Sequence, residues 1–138
     1  RFEDYRLTFA RPSRPCRVLL SDSYMLSGHD ALYPLEDGAT LPLRHGLFDG
    51  DAIILKNFER TMTLSAGEGT RGLTLSCPQM RYLGIWHQPK TDAPYVCLEP
   101  WASLPSRQDV VEDLTQQNDL ISLEPGQHYE NRWTITIF

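Results

Sequence analysis

Short strand-like runs separated by turn signals constrain the fold of this 138-residue chain more than any other feature. The runs are rich in β-branched and aromatic residues or alternate between apolar and polar positions, as half-buried strands do. Breaks such as RPSRP at 11–15 and FDGD at 48–51 stand between them. The pattern indicates an all-β protein, an antiparallel β-sandwich. We predict strands at Tyr5–Phe9, Arg17–Leu20, Ala52–Leu55, Thr61–Ser65, Leu73–Cys77, Leu83–His87, Tyr95–Glu99 and Trp133–Phe138.

Two later segments carry further expectations. Val110, Val111 and Leu114 lie at helical spacing within 106–117, so this segment is either a short helix or a long loop. The closing run RWTITIF alternates between large apolar residues and threonine. We predict that it is a strand with one face buried.

Composition and charge exclude several classes of function. The length suits one domain, and the net charge of −5 argues against binding to nucleic acid or to an anionic membrane surface. No apolar run reaches the roughly 20 residues of a membrane helix. The three cysteines and four histidines lack metal-ligand spacing, so we predict no metal, no disulfide framework and a cytoplasmic protein with reduced thiols.

The stretch APYVCLEPW contains the residue that most needs an explanation. Side chains alternate faces along a strand, so Tyr95, Cys97 and Glu99 are predicted to share one face, with Val96 and Leu98 on the other. Pro100 is predicted to end the ladder there. A carboxylate in a buried strand costs several kcal/mol unless it is paired or functional. Glu99 is therefore either a structural acid or the chemical centre of a site. Its candidate structural partners are Arg44, Arg71 and Arg81.

Aromatic residues surround this stretch in the sequence. Tyr82, Gly84 and Trp86 are predicted to lie on one face of their strand, with Leu83, Ile85 and His87 on the other. Aromatic rings beside a carboxylate are suited to stacking against a sugar, although most aromatic residues in sandwiches simply form core. Tyr82 is interpreted as core, and both alternatives stay open for Trp86 and Trp101.

Four segments together carry a resemblance to a known family. They are LPLRHGLFDGDAIIL, RYLGIWHQP, APYVCLEPW and SLEPGQHYENRWTITI, in that order. They resemble the C-terminal half of an aldose 1-epimerase of the galactose mutarotase-like, LacX-type branch, and VCLEPW is the most specific of them. The resemblance implies that residues 1–138 form the C-terminal portion of a β-supersandwich domain.

The family reaction interconverts the α and β anomers of an aldose without a cofactor, and several roles are implied residue by residue. Glu99 matches the base that takes the proton of the anomeric hydroxyl. Asp51 matches an aspartate that holds sugar hydroxyls, and Trp86 and Trp101 lie in matching motifs as candidate sugar contacts. The family's acid histidine lies before the matching region, so the acid is expected on an N-terminal half that is missing here.

Two hypotheses of different classes follow. The first is an isomerase acting on a hexose, inactive as this fragment alone. The alternative is a non-catalytic carbohydrate-binding protein on the same fold. Because half a supersandwich leaves open sheet edges, we also expect a partner that covers them, either the N-terminal half or an oligomer partner.

Overall fold

Two five-stranded antiparallel sheets pack face to face in this protein. The computed structural model describes residues 1–67, 69–117 and 119–138. The strands are β1 Tyr5–Phe9, β2 Cys16–Leu20, β3 Leu26–Leu32, β4 Thr40–Pro42, β5 Ile53–Lys56, β6 Thr61–Ala66, β7 Gly72–Ser76, β8 Tyr82–Trp86, β9 Cys97–Trp101 and β10 Thr134–Ile137. The first sheet has the strand order β10-β7-β6-β1-β4, and the second has the order β3-β2-β5-β8-β9. The predicted all-β sandwich is therefore confirmed.

Helical structure in the described residues is confined to two 3-10 turns, Phe2–Asp4 and His45–Phe48. None of the helices in this part of the chain has the length and apolar character that crossing a membrane requires. The segment 106–117 contains turns and loop, so the loop alternative is the one that the structure adopts.

The main core lies between the two sheets. Leu7 and Phe9 of the first sheet face Leu55, Leu83 and Ile85 of the second, and each of them is at most 2% exposed. Alternate residues along each strand reach this core because side chains of a strand alternate between faces. Burial of these large apolar side chains is the dominant favourable contribution to folding.

Eight strands were predicted close to their observed positions, but β3 and β4 were not predicted. β3 has the sequence LSGHDAL, and most of its side chains are exposed, so no apolar alternation marks it. Backbone pairing with β2 defines it instead. β4 is only three residues long, too short for a periodic signal.

Two predictions about strand ends were wrong. Pro100 does not end the ladder, since β9 continues to Trp101, which pairs with Tyr82. An edge strand such as β9 tolerates the missing N–H of proline. The run RWTITIF does not bury one face: Ile135 is 48% exposed and Ile137 is 81% exposed. β10 is also an edge strand, so its apolar side chains lie at the open side of the sandwich.

Candidate functional site

The outer face of the second sheet, which points away from the first sheet, carries three of the four predicted site residues, Trp86, Glu99 and Trp101. We define this outer face by residues of β8 and β9: Tyr82, Gly84, Trp86, Cys97, Glu99 and Trp101. In the register of the two strands, Gly84 lies opposite Glu99, Tyr82 opposite Trp101, and Trp86 opposite Cys97. The opposite side chains of β8, Leu83 and Ile85, enter the main core with His87, which follows the strand. The predicted alternation is thus confirmed.

Gly84 makes room for the two groups that lean over it. A Cβ atom at this position would lie 2.9 Å from Cζ2 of Trp101 and 3.2 Å from Oε2 of Glu99. The indole ring and the carboxylate therefore approach the β8 backbone more closely than any side chain there would permit. A glycine inside a strand often marks such an approach, and this is the signal by which Gly84 could have been found.

Glu99 is half-buried at the centre of β9. It forms no ion pair with any residue that the structure describes. One of its candidate structural partners, Arg81, instead donates to Asp119 Oδ1 at 3.3 Å. The carboxylate of Glu99 thus remains available for a hydroxyl donor at the edge of the sheet.

Burial raises the pKa of the Cys97 thiol, and the negative charge of Glu99 raises it further. The two side chains lie on the same face of β9 with one residue between them. All three cysteines of the chain are free thiols. The pKa of the Cys97 thiol therefore depends on the charge of Glu99.

A second apolar cluster covers part of the outer face. Trp86 and Trp101 pack there against buried Val18, Ala52 and Ile54, and both indoles stay half-buried. The segment that follows β9 also contributes, through Leu104. Each tryptophan thus packs against core residues and keeps part of its ring accessible.

Asp119 links the segment that follows β9 to the second sheet through hydrogen bonds. The hydroxyl of Tyr82 donates to Asp119 Oδ1 at 2.7 Å, and the backbone N–H of Leu104 donates to Oδ2 at 2.7 Å. Burial, together with the hydrogen bond to Asp119, raises the pKa of Tyr82 to about 12. Sequence reasoning missed Asp119, since no local pattern links it to a tyrosine 37 residues away.

Asp51 lies beside this surface and not within it. It stands in the turn before β5 with a positive φ of 74°, and its Oδ1 accepts from the Ala52 N–H at 2.7 Å. β5 and β9 flank β8, so Asp51 and Glu99 lie roughly 10 Å apart across the sheet and roughly 10 Å apart along it. The structure therefore does not place the two carboxylates in contact.

The histidines lie elsewhere. His87 is completely buried, and half-buried His45 meets its ring edge-on from the 3-10 turn His45–Phe48. His29 is exposed on β3 at the far edge of the second sheet, and His128 is exposed before β10. Among the described residues, no group of three or more His, Cys, Asp and Glu side chains has the arrangement of a metal site.

No family model matches this chain, but two curated relatives and two solved structures do. The chromosomal and plasmid forms of protein LacX from Lactococcus lactis subsp. lactis are each 28% identical over 133 residues, covering 92% of this chain and 44% of LacX. The chain thus spans less than half the length of the curated relatives it matches.

Solved structures match over nearly the whole chain. A galactose mutarotase-related enzyme from Lactobacillus acidophilus has a TM-score of 0.88 at 24% identity, covering 100% of this chain and 46% of that one. A galactose mutarotase-like protein from Lactobacillus casei has a TM-score of 0.88 at 26% identity, covering 99% and 47%. The resemblance inferred from the sequence is confirmed: the chain is similar to LacX proteins in sequence and to galactose mutarotase-related proteins in fold.

Proposed function

We propose that this chain carries the base-bearing part of an aldose 1-epimerase-like site, in which Glu99 takes the proton of a sugar's anomeric hydroxyl. The observation that carries the proposal is the half-buried carboxylate of Glu99, which leans over Gly84 beside the Trp101 ring. The similarity to LacX and to the galactose mutarotase-related proteins supports it.

The chemistry requires two positioned proton transfers. Glu99 removes the proton of the C1 hydroxyl while an acid gives a proton to the ring oxygen, and the bond between C1 and the ring oxygen breaks. The aldehyde carbon turns about its bond to C2, the ring closes on its other face, and both protons return. Each positioned acid or base contributes typically about 10²–10⁴-fold in rate.

Trp86 and Trp101 are proposed to hold the sugar. One face of a hexose carries mainly C–H groups, which pack on an indole ring, while its hydroxyls turn toward polar groups. The half-buried indoles on the outer face offer such a surface on either side of Gly84. Asp51, with one carboxylate oxygen bonded to its neighbouring N–H, is proposed to accept from a more distant hydroxyl.

A protein of the length of LacX contains a region that this chain does not match, and the acid is proposed to lie in that region. Neither His45 nor His87 lies on the outer face of β8 and β9: His87 is completely buried, and half-buried His45 meets its ring edge-on and pairs with Glu3. The same N-terminal region is proposed to cover the open edges at β9 and β10. Activity is therefore expected from the chain together with that region and not from the chain alone.

Polarimetry with freshly dissolved α-galactose and α-glucose tests this proposal. The chain is assayed alone and together with the N-terminal half of Lactococcus lactis LacX, each as wild type and as Glu99→Gln. We expect acceleration only in the combined wild-type sample, and a loss of at least 100-fold with Glu99→Gln. Tryptophan fluorescence is expected to show sugar binding in both forms. Undiminished turnover by Glu99→Gln in the combined sample would refute the role of Glu99.

A non-catalytic carbohydrate-binding protein is the second candidate. The partly accessible tryptophans favour it, since they need no acid to hold a sugar. It predicts saturable fluorescence changes with sugar but no acceleration of anomer exchange in any of the four samples. The Trp86→Phe variant then weakens binding and leaves the spontaneous rate unchanged.

A further inference from the structure

His87 is a completely buried polar residue at the junction between β8 and the segment 88–96. Its ring stacks on Tyr95, with centroids 5.0 Å apart and planes at 7°, and on Phe48 at 5.8 Å and 21°. Phe2 meets it edge-on at 5.1 Å. The imidazole is thus enclosed between two aromatic faces, and an aromatic face attracts a cation.

Both ring nitrogens of His87 face backbone carbonyl oxygens. Nδ1 lies 2.7 Å from Gln88 O, and Nε2 lies 2.7 Å from Ala93 O. A carbonyl oxygen can only accept a hydrogen bond, and a neutral imidazole has only one N–H to donate. In either neutral tautomer, one nitrogen lone pair would face an oxygen at 2.7 Å. Both contacts are favourable only when both nitrogens carry a proton.

We propose that His87 is a doubly protonated clamp that closes the segment 88–93 and so positions β9 with Glu99. The ring holds the two ends of this segment together through the carbonyls of Gln88 and Ala93. A third contact supports the closure, because the Gln88 N–H donates to the Tyr95 hydroxyl at 3.2 Å. The effect on Glu99 rests on the proposed function, whereas the clamp itself does not.

The charged and titratable groups around His87 are few among the described residues. His45 meets the ring edge-on at 4.8 Å, and its Nδ1 lies 2.5 Å from Glu3 Oε1. The Glu3 carboxylate thus pairs with His45, and Nε2 of His45 lies 3.4 Å from the same Ala93 oxygen that faces His87. Tyr95 contributes a neutral hydroxyl, and Phe2 and Phe48 contribute no titratable group.

Loss of one proton from His87 would remove a hydrogen bond and leave two acceptors facing each other. Either Gln88 or Ala93 would then move away from the ring, and the segment 88–93 would open. Glu99 lies six residues beyond Ala93, on β9, the strand that follows this segment.

Nitrogen-15 NMR of the histidine-labelled chain tests the protonation directly. The expected result is that both ring nitrogens of His87 give protonated N–H signals near neutral pH and that their protons exchange slowly. The His87→Phe variant identifies the signals, and His128→Phe, at an exposed site, is the matched control. One protonated and one unprotonated nitrogen at neutral pH would overturn the proposal, and this result needs no variant to fold.

Hydrogen exchange tests the clamp separately. His87→Phe keeps an aromatic ring between Tyr95 and Phe48 but removes both donors. We expect protection in 88–96 to fall at least 10-fold in this variant while protection in β5 is retained. Unchanged protection in 88–96 would refute the clamp. If Glu99→Gln fails to alter anomer exchange while these results hold, the proposed function fails and the clamp stands.

Discussion

Gly84→Ala is the most direct test of the outer face, because the structure gives the contacts that the new methyl group would make. Its Cβ would lie 2.9 Å and 3.1 Å from two carbons of the Trp101 ring. Carbon atoms in contact prefer about 3.5–4.0 Å, so the ring has to move by at least about half an ångström. Its displacement would also carry the ring away from Glu99.

Two opposing effects decide how much Gly84→Ala changes the free energy of unfolding. Forcing an extra methyl group into a packed site costs typically about 1–3 kcal/mol. Replacing glycine by alanine within a strand recovers about 0.5–1 kcal/mol of backbone entropy. We expect Gly84→Ala to lower the free energy of unfolding by about 1.25 kcal/mol, the difference between the midpoints of these two ranges.

Urea unfolding followed by tryptophan fluorescence measures this change. Gly50→Ala is the matched control, since nothing lies within 4 Å of its added Cβ, and its stability should stay within about 0.5 kcal/mol of wild type. A Gly84→Ala variant as stable as wild type would show that Trp101 and Glu99 do not lean over this position.

Two further predictions concern titration. Glu99→Gln should lower the pKa of the Cys97 thiol, because it removes a negative charge that raises it; alkylation rates against pH, followed by peptide mass spectrometry, measure this, with Cys77 as the unchanged internal control. Asp119→Asn should lower the pKa of Tyr82 from about 12 toward 10. Because the pKa of Tyr82 is raised in the folded state, the unfolded chain loses this proton first as the pH rises. The stability of the wild type therefore falls between pH 10 and 12, and the stability of Asp119→Asn should fall less in that range. The difference in absorbance at 295 nm between wild type and Tyr82→Phe isolates Tyr82 from the other tyrosines, and a midpoint near 10 in this difference would contradict the Tyr82–Asp119 bond.

Local periodicity made much of this structure predictable from the sequence. β1 was predicted at its observed bounds, and the shared faces of Tyr82 with Trp86 and of Cys97 with Glu99 followed from alternation alone. These features depend on neighbouring residues within one strand, where the period of two decides which side chains share a face.

Features that depend on distant residues were not predictable in this way. No local pattern marks β3, whose side chains are mostly exposed. Phe2 and Phe48 reach His87 from far along the chain, so the enclosure of that histidine is visible only once the sheets are packed. The exposure of Ile137 likewise depends on which strand lies at the edge of the sheet.

The two sheets also differ in the order in which they can assemble. Every pairing in the second sheet joins residues about 40 or fewer apart in sequence, whereas β1 with β6 and β10 with β7 join residues about 60 apart. Contacts between distant residues form slowly, because the ends of a long loop must first meet. The second sheet can therefore form before β1 pairs with β6 and β10 pairs with β7. The surface that carries Glu99 thus belongs to the part of the sandwich that is expected to fold first.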